Sequence, residues 1–193
     1  MNVLPVTLSG RYVRLEPMTI DHAEPLAKVG LHPELWRLQP APVENVEDMR
    51  AYVREALDLQ RRGAAVPFVI VEQAGGEIIG TTRYMDIAPA HRRLEIGATW
   101  LTPSRQRTGA NTEAKLLLLT HAFETLGAIR VVFKTEVANG PSRRAILRLG
   151  AVEEGTFRQH LVATSGRRRD MVYFAILESE WPAVRERLRS RLR

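Results

Sequence analysis

Apolar and polar residues alternate over several short stretches of this chain of 193 residues, a two-residue period that is typical of half-buried β-strands. Residues 11–17 form the first stretch. Residues 66–73 and 77–87 form the next two, and the small residues Ala74-Gly75-Gly76 between them predict an antiparallel hairpin. The later predicted strands are 93–101, 130–137 and the arms 151–163 and 169–176 of a hairpin about Ser165-Gly166.

Other stretches repeat their apolar residues with the three- to four-residue spacing of a helix face. Two helices are predicted after the first strand; one is entered at 19–22, and the other begins at Asn45, a good capping residue, and stops at Gly63. A longer helix is predicted from about 112 to 126, a short one from Pro141 to Gly150, and a last one at the C-terminus. The residues expected to face the core are Val46, Met49, Val53, Ala56 and Gln60, then Leu116, Leu119, Phe123 and Leu126, and finally Val184, Leu188 and Leu192.

The predicted order is strand, two helices, three strands, helix, strand, helix, two strands and a final helix. With 45% hydrophobic and 26% charged residues, the chain has the composition of a single compact domain over residues 1–193. No apolar run approaches the roughly 20 residues that span a bilayer, and the N-terminus lacks the basic start and long apolar stretch of a secretory signal. A cytoplasmic location is therefore expected.

Several kinds of chemistry are excluded by composition and spacing. Cysteine is absent, which excludes disulfides, thiolate metal sites and cysteine nucleophiles. The histidines have no metal-ligand spacing and no G-x-S-x-G sequence accompanies them, so metal and serine-hydrolase chemistry are not expected. The glycines from Gly75 to Gly80 have the spacing of a Walker loop, but Thr81 stands in place of its lysine, so that interpretation is rejected.

The net charge of +6 raises the question of a nucleic-acid partner. Much of the charge lies at the C-terminus, in the arginines at 185, 187, 189, 191 and 193, which are accompanied there only by Glu186. The apolar spacing of the same segment favours an amphipathic helix with a solvated basic face. Contact with RNA or an acidic protein is the alternative.

The turn at 104–115, SRQRTGANTEAK, is the strongest candidate for a binding site. It joins a predicted strand to a Leu-rich helix, and Gly109 leaves room for a phosphate oxygen to approach the backbone. The N-terminus of the helix adds unpaired N–H groups and a positive dipole end. A pyrophosphate site is predicted here. The alternative is that the glycine only separates the strand from the helix.

Five segments together resemble the GNAT N-acetyltransferases, in particular the branch that includes the RimJ and RimL ribosomal-protein N-terminal acetyltransferases. They are LEIGATWL, QRTGANTEAK, HAFETLGAIRV, NGPSRRAILRLGAVEEG and RRRDMVYFAILESEW, and the resemblance covers nearly the whole chain. It implies a mixed α/β fold of the α+β class. A central, mostly antiparallel, twisted sheet of about seven strands would be flanked by helices, with an extra C-terminal helix.

The resemblance also implies acetyl-CoA as the co-substrate, without a metal. The family's phosphate-loop pattern falls on Gln106, Gly109 and Asn111, although Asn111 is larger than the usual last residue and alternatively caps the helix at Thr112. The strand end at 100–102 is implied to pair with the pantetheine arm as an added strand does. The implied cofactor-binding residues are Trp100, Leu101, Thr102, Gln106, Arg107, Thr108, Gly109, Ala110, Asn111, Thr112, Asn139 and Ser142.

Asn139 opens a second shared pattern, with Ser142 and Gly150 further along. Many members of the family have a tyrosine in this segment that protonates the leaving thiolate, but its position here is Ile146, which has no proton to donate. The resemblance to the RimL-like branch places Ser142 in that role. Without the resemblance, Ser142 is a capping or first-turn residue of a helix.

Glu95 is the best candidate for a general base, because it lies on the strand that leads to the acetyl site. The alternative is a salt bridge to Arg83, Arg92 or Arg93. A backbone N–H from the 100–102 region is expected to stabilise the oxyanion. An α-amino acceptor, with a pKa of about 7.7 to 8.0, needs less help from a base than a lysine near 10.4.

The leading prediction is transfer of the acetyl group of acetyl-CoA to a primary amine of a small molecule, a peptide or a protein N-terminus. One alternative is a CoA-binding regulatory module that holds RNA or an acidic protein, and another is transfer of a different acyl group such as succinyl. No membrane partner is expected, nucleic acid is disfavoured, and a homodimer is left open. His91 and His160 are candidates for the acceptor site; Trp36 and Tyr84 are expected to pack, and Arg83 to pair in solvent.

Overall fold

The computed structural model of the protein describes residues 1–192. These residues form one sheet of eight strands that is covered by helices on both faces. The strands are β1 (Leu8–Ser9), β2 (Val13–Pro17), β3 (Val66–Glu72), β4 (Ile78–Ala88), β5 (Arg93–Leu101), β6 (Arg130–Glu136), β7 (Val152–Val162) and β8 (Arg168–Leu177). The helices are α1 (Ala23–Gly30), α2 (Pro33–Trp36), α3 (Val46–Arg61), α4 (Gly109–Thr120), α5 (Gly140–Leu149) and α6 (Trp181–Ser190).

The strand order in the sheet is β1-β2-β3-β4-β5-β6-β8-β7. All neighbouring strands are antiparallel except β5 and β6, which run parallel. This confirms the mixed α/β fold and both predicted hairpins, with one strand more than the seven expected. The additional strand is β1, whose two residues pair with Arg14 and Leu15 and are too few to show a two-residue period.

The core consists of two layers of side chains, one on each face of the sheet. Helices α4, α5 and α6 cover one layer, and α1, α2 and α3 cover the other. Tyr84 is buried in the first layer, where its hydroxyl donates to the Leu118 carbonyl at 2.6 Å. Trp36 is buried in the second layer. The packing role predicted for both aromatic residues is therefore confirmed.

Helix boundaries follow local capping chemistry. Asn45 caps α3 as predicted, since its Oδ1 accepts from the Asp48 N–H at 2.9 Å, and Gly63 follows the helix with φ 70°. Helix α4 begins earlier than expected, at Gly109, because Thr108 is its cap. Asn111 consequently lies in the first turn, and the interpretation of Asn111 as the cap was wrong.

The C-terminal helix α6 is amphipathic, as predicted. Val184 and Leu188 are buried, while Arg185 binds Glu124, whose carboxylate also accepts from the Trp181 indole. Arg193 lies outside the described residues. Within residues 1–192, no helix combines the length and apolarity needed to cross a bilayer.

Glu113 ties the start of β2 to helix α4. Its buried carboxylate accepts three consecutive backbone N–H groups, from Arg11 at 2.8 Å, Tyr12 at 2.6 Å and Val13 at 2.7 Å. A run of backbone amides that converges on one carboxylate is a strong, charge-assisted arrangement. The predicted apolar face of this helix did not include Glu113, because a glutamate is normally assigned to the solvated side.

Glu113→Ala is expected to lower the free energy of unfolding by about 3 kcal/mol, because it leaves one buried and two partly buried N–H groups without an acceptor. Urea unfolding followed by circular dichroism measures the change. Glu55→Ala, at an exposed position of α3, is the matched control and is expected to change stability by less than about 0.5 kcal/mol. An equal, small effect of both substitutions would show that the N-terminus does not depend on this contact.

Candidate active site

The centre of the sheet contains a cleft where β5 and β6 separate. The two strands pair only through Arg93–Arg130, Leu94–Val131 and Glu95–Val132, although β5 continues to Leu101 and β6 to Glu136. A bulge bends β5 just beyond this point, since its register on β4 shifts and Ala98 has φ 46°. The later halves of both strands therefore leave backbone groups for a ligand that runs between them.

Leu101 carries the backbone groups that face this cleft at the end of β5. The Thr102 N–H already donates to the Ile79 carbonyl of β4 at 2.8 Å, and Trp100 pairs with Thr81 of the same strand. Because donors alternate between the two sides of a strand, the Leu101 groups are directed away from β4. The Leu101 carbonyl accepts from Gln106 Nε2 at 3.1 Å. Of the three residues implied to pair with a pantetheine arm, the geometry thus favours Leu101.

The segment after β5 forms a turn that ends at the N-terminus of α4. The Arg105 and Gln106 N–H groups are used within this turn, and Arg107 has φ 59°. The Ala110 N–H donates to the capping Thr108 hydroxyl at 3.2 Å. The other N–H groups of the first helical turn have no partner one turn earlier, which makes this end of the helix electropositive.

Gly109 has no backbone conformation that requires glycine, since its φ is not positive. A Cβ at this position would lie 3.5 Å from Leu192 Cδ2 and 3.8 Å from Tyr12 Cδ2, which is ordinary van der Waals contact. The protein's own packing therefore does not explain the glycine. The close approach of a ligand to the backbone stays the prediction for it.

Glu95 is buried on β5, and its carboxylate forms an ion pair with Lys134 Nζ at 2.9 Å. Burial raises the pKa of Glu95, and Lys134 opposes that shift. The three arginines considered as partners are engaged elsewhere: Arg92 with the Gly127 carbonyl, Arg93 with Asp86 and Arg83 with the Tyr52 ring. Lys134 was missed because it comes from β6, which is adjacent only in the folded sheet.

Asn139 caps helix α5, where its Oδ1 accepts from the Ser142 N–H at 3.2 Å. Ser142 is half-buried in the first turn, which confirms the first-turn position predicted for it, while its catalytic role stays a prediction. Ile146, at the position of the family's tyrosine, is buried in the core. His160 lies 2.9 Å from the Tyr173 hydroxyl, and His91 is exposed at the end of a short turn.

A cavity of about 440 Å³ lies between the segment that follows α1 and the tip of the β7–β8 hairpin. Hydrogen bonds hold the two together: the Thr164 N–H donates to the Pro40 carbonyl at 3.1 Å, and the Arg169 guanidinium donates to the Leu38 carbonyl at 2.8 Å. Glu136, at the end of β6, binds Arg169 at 2.9 Å and also binds Arg167. These ion pairs connect the end of β6 to the hairpin, whose Arg167 lines the cavity.

The lining of this cavity includes Trp36, which also contacts two other aromatic rings. Trp36 lies 5.4 Å from Tyr52 and 5.6 Å from Trp100, ring centre to ring centre. The Tyr52 ring in turn stacks against the guanidinium of Arg83 at 4.5 Å. The expectation that Arg83 pairs in solvent was wrong, because the residue is buried. Its strand, β4, lies between β3 and β5, and helices cover both faces of the sheet.

Lys115 is a second buried cation that the sequence pattern missed. Its Nζ donates to the hydroxyls of Thr99 at 2.5 Å and Thr82 at 3.2 Å, and burial lowers its pKa to about 7. Helix α4 thus places an amine beneath the bulge of β5. The helical period did not reveal Lys115, because a lysine beside an apolar stripe usually extends to solvent.

Comparison with known proteins agrees with this geometry. The family model for the acetyltransferase (GNAT) domain matches residues 13–152. A GCN5-related N-acetyltransferase from Brucella melitensis superposes with a TM-score of 0.89 at 32% identity, covering 97% of this chain and 86% of that one.

Two further relatives extend the comparison. RimJ from Mycobacterium smegmatis, in complex with CoA-disulfide, has a TM-score of 0.81 at 26% identity, covering 96% of this chain and 94% of that one. The uncharacterized N-acetyltransferase p20 of Bacillus licheniformis is 28% identical over 176 residues, which are 91% of this chain and 98% of that protein. The split sheet, the loop before α4 and these matches together show that the chain is an acetyltransferase of the GNAT family, similar to the RimJ and RimL branch.

Proposed function

We propose that this enzyme transfers the acetyl group of acetyl-CoA to a primary amine of a small molecule, a peptide or a protein N-terminus. The observation that carries the proposal is the separation of β5 from β6 directly beside the N-terminus of α4. A pantetheine arm fits as an added strand in the cleft, and a pyrophosphate fits at the electropositive helix end. The likeness to a RimJ that binds a CoA derivative supports the same assignment.

The residues present fit the cofactor. The outward groups of Leu101 would hold the pantetheine amides, and the amides of Arg107, Thr108 and Gly109 would hold the pyrophosphate. Acetyl-CoA supplies an activated thioester, so no metal is needed to activate the acyl group. The direction of Leu101 and the partners of Thr102 make Leu101 the principal backbone contact in this proposal.

The proposed reaction is direct attack of a neutral amine on the thioester carbonyl. A C–N bond forms, the C–S bond breaks, the amine loses a proton, and the CoA thiolate gains one. Glu95 takes the amine proton, directly or through water, which suits a carboxylate whose pKa is raised by burial. Ser142 hydrogen-bonds to the departing sulfur. Its contribution to the rate is small, because the thiolate of a thiol with a pKa of about 8.5 leaves readily.

A mass-spectrometric screen tests the function directly. Purified enzyme is incubated with acetyl-CoA and a panel of free amino acids, polyamines and N-terminal peptides, and acetylated products are identified by their added mass. Formation of an acetylated amine at a rate above the enzyme-free reaction is expected. No acetylated product from any amine, combined with RNA affinity lost on deleting residues 185–193, would favour the regulatory alternative.

Glu95→Gln is expected to lower kcat by about a hundredfold, because the amide keeps the shape of the side chain but accepts no proton. The wild-type rate is expected to fall as the pH drops through the raised pKa of Glu95, and the variant is expected to lose that limb of the profile. Steady-state kinetics from pH 5 to 9 measure both effects. Glu77→Gln, at an exposed turn residue, is the control. An unchanged kcat in Glu95→Gln would assign deprotonation to water alone.

A further inference from the structure

Arg83 is a buried arginine, and two of its three donor nitrogens are left without acceptors in residues 1–192. It is 4% exposed, and neither Nε nor Nη2 has a hydrogen-bond partner. The contrast is Arg169, which is equally buried but donates to both Glu136 and the Leu38 carbonyl. Arg83 thus holds its guanidinium in the interior with no carboxylate of the described residues paired to it.

A buried guanidinium in this state lowers the stability of the fold unless an acceptor binds its N–H groups. A guanidinium stays charged at any physiological pH, and burying a charge without a partner carries a large desolvation cost. The Tyr52 ring, 4.5 Å away, offers a cation–π contact to the flat face of the group. It offers no lone pair to Nε or Nη2, which point in the plane of the guanidinium.

Trp100 adds a second unpaired donor to the strands on this face of the sheet. Trp100 Nε1 is buried and has no hydrogen-bond partner in the described part of the chain, and Trp100 lies opposite Thr81 on the same face as Arg83. The Thr81 hydroxyl is already engaged by the Tyr52 hydroxyl at 3.1 Å. The unpaired groups of Arg83 and Trp100 are therefore all N–H donors, and one carries a positive charge. Their complement is an anion with several lone pairs, and a planar carboxylate matches the guanidinium fork.

The position of Arg83 links it to the proposed transfer site. Arg83 lies opposite Gly97 of β5, just beyond the last residue of that strand that pairs with β6. A Cβ at Gly97 would lie 2.7 Å from Glu95 Oε1, so the carboxylate of the candidate base covers the glycine. Trp36, which contacts both Tyr52 and Trp100, also lines the cavity beside the hairpin. Arg83 is therefore a strand neighbour of Gly97, which the candidate base covers, and the rings of Tyr52 and Trp36 connect it to that cavity.

We infer that Arg83 binds a carboxylate of one of the two substrates, an inference that rests on the proposed acyl transfer for the identity of the reaction. Two sources have this chemistry. One is a carboxylate of the amine acceptor, as in an amino acid or an acidic N-terminal residue. The other is the distal carboxylate of a dicarboxylic acyl-CoA such as succinyl-CoA. In either case the anion compensates the buried charge and fixes the orientation of that substrate.

Paired substrates that differ only in the carboxylate test the inference. In the acceptor arm, amidated peptides that begin with Asp are compared with those that begin with Asn, and free amino acids with their amides, all with acetyl-CoA. In the donor arm, succinyl-CoA is compared with butyryl-CoA on one neutral amine. In one of the two arms, the kcat/KM of the wild type is expected to be about tenfold or more higher for the substrate with the carboxylate than for its neutral counterpart. That arm shows whether the carboxylate belongs to the acceptor or to the acyl donor.

Arg83→Met keeps an apolar chain of similar length and is expected to abolish that preference while changing the neutral substrate less than about threefold. Arg83→Lys keeps the positive charge but not the planar fork of donors, and it is expected to retain part of the preference for the carboxylate substrate. This variant also tests the inference if the methionine variant folds poorly. Arg93→Met, which removes an arginine on the neighbouring strand that already binds Asp86, is the control and is expected to retain the preference. A wild type that transfers acyl groups with no preference in either arm, or an unchanged preference in Arg83→Met, would overturn the inference.

Calorimetric binding of the same pairs separates this inference from the proposed function. Acceptors are titrated into enzyme saturated with CoA, and donors into the free enzyme. Carboxylate-dependent binding that Arg83→Met removes, without turnover of any pair, would refute the proposed transfer but keep the carboxylate site. Turnover of neutral pairs without carboxylate-dependent binding would refute the site but keep the transfer. Neither binding nor turnover would refute both.

Discussion

Gly109→Asp is expected to weaken acetyl-CoA binding by about a hundredfold, which corresponds to about 2.7 kcal/mol. The substitution places a carboxylate at the first residue of α4, where the pyrophosphate is proposed to lie. Two like charges about 4 Å apart repel by a few kcal/mol near a protein surface, which is enough for this loss. Isothermal titration calorimetry with acetyl-CoA measures the Kd.

The space around Gly109 allows a clean version of this experiment. Because a Cβ there would make only ordinary contacts with Leu192 and Tyr12, Gly109→Ala separates the effect of bulk from the effect of charge. A small loss in the alanine variant and a large one in the aspartate variant are expected, with Gly75→Asp in an exposed turn as the charge control. An unchanged Kd in a folded Gly109→Asp protein would place the pyrophosphate elsewhere.

Lys115→Met is expected to stabilise the protein at pH 7.5 by about 2 kcal/mol or more and to flatten its stability against pH. Burial lowers the pKa of Lys115 in the folded chain to about 7 from an ordinary value of 10.5. Between these two values the unfolded chain binds a proton that the folded chain does not hold. Stability of the wild type therefore rises with pH in this window, by up to about 1.4 kcal/mol per pH unit.

Urea unfolding between pH 7.5 and 9.5 measures this slope for the wild type and the variant. The methionine removes the titrating amine, and Thr82 and Thr99 keep a contact because their hydroxyls lie 2.8 Å apart. Lys28→Met, at an exposed position of α1, is the matched control and is expected to keep the wild-type slope. Equal slopes in all three proteins would mean that water reaches the Lys115 amine and keeps it charged.

The residues that sequence reasoning located well are those whose role depends on their immediate neighbours. Asn45 was predicted as a cap and Gly63 as a stop, because both functions act within one helical turn. The turn before α4 was found in the same way. The helix start was misplaced because Thr108, and not Asn111, is the capping residue.

The partners of buried charges were not predictable in this way. Glu95 binds Lys134 across a parallel strand pair, and Glu113 binds amides about a hundred residues away in the chain. Alternation assigns Arg83 to one face of β4, but it does not reveal that helices cover both faces. Each of these facts depends on which elements become neighbours after folding.

Apart from the short elements β1 and α2, the sequence by itself determined the order of strands and helices, the glycine-containing turn before α4 and the amphipathic C-terminal helix, because periodicity and capping are local properties of a chain. Only the tertiary structure decided that β5 and β6 run parallel for three residue pairs and then part. It also decided that Arg83 and Lys115 are buried with no carboxylate of residues 1–192 paired to them. Strand separation and desolvation arise from packing between distant segments, and no local pattern encodes them.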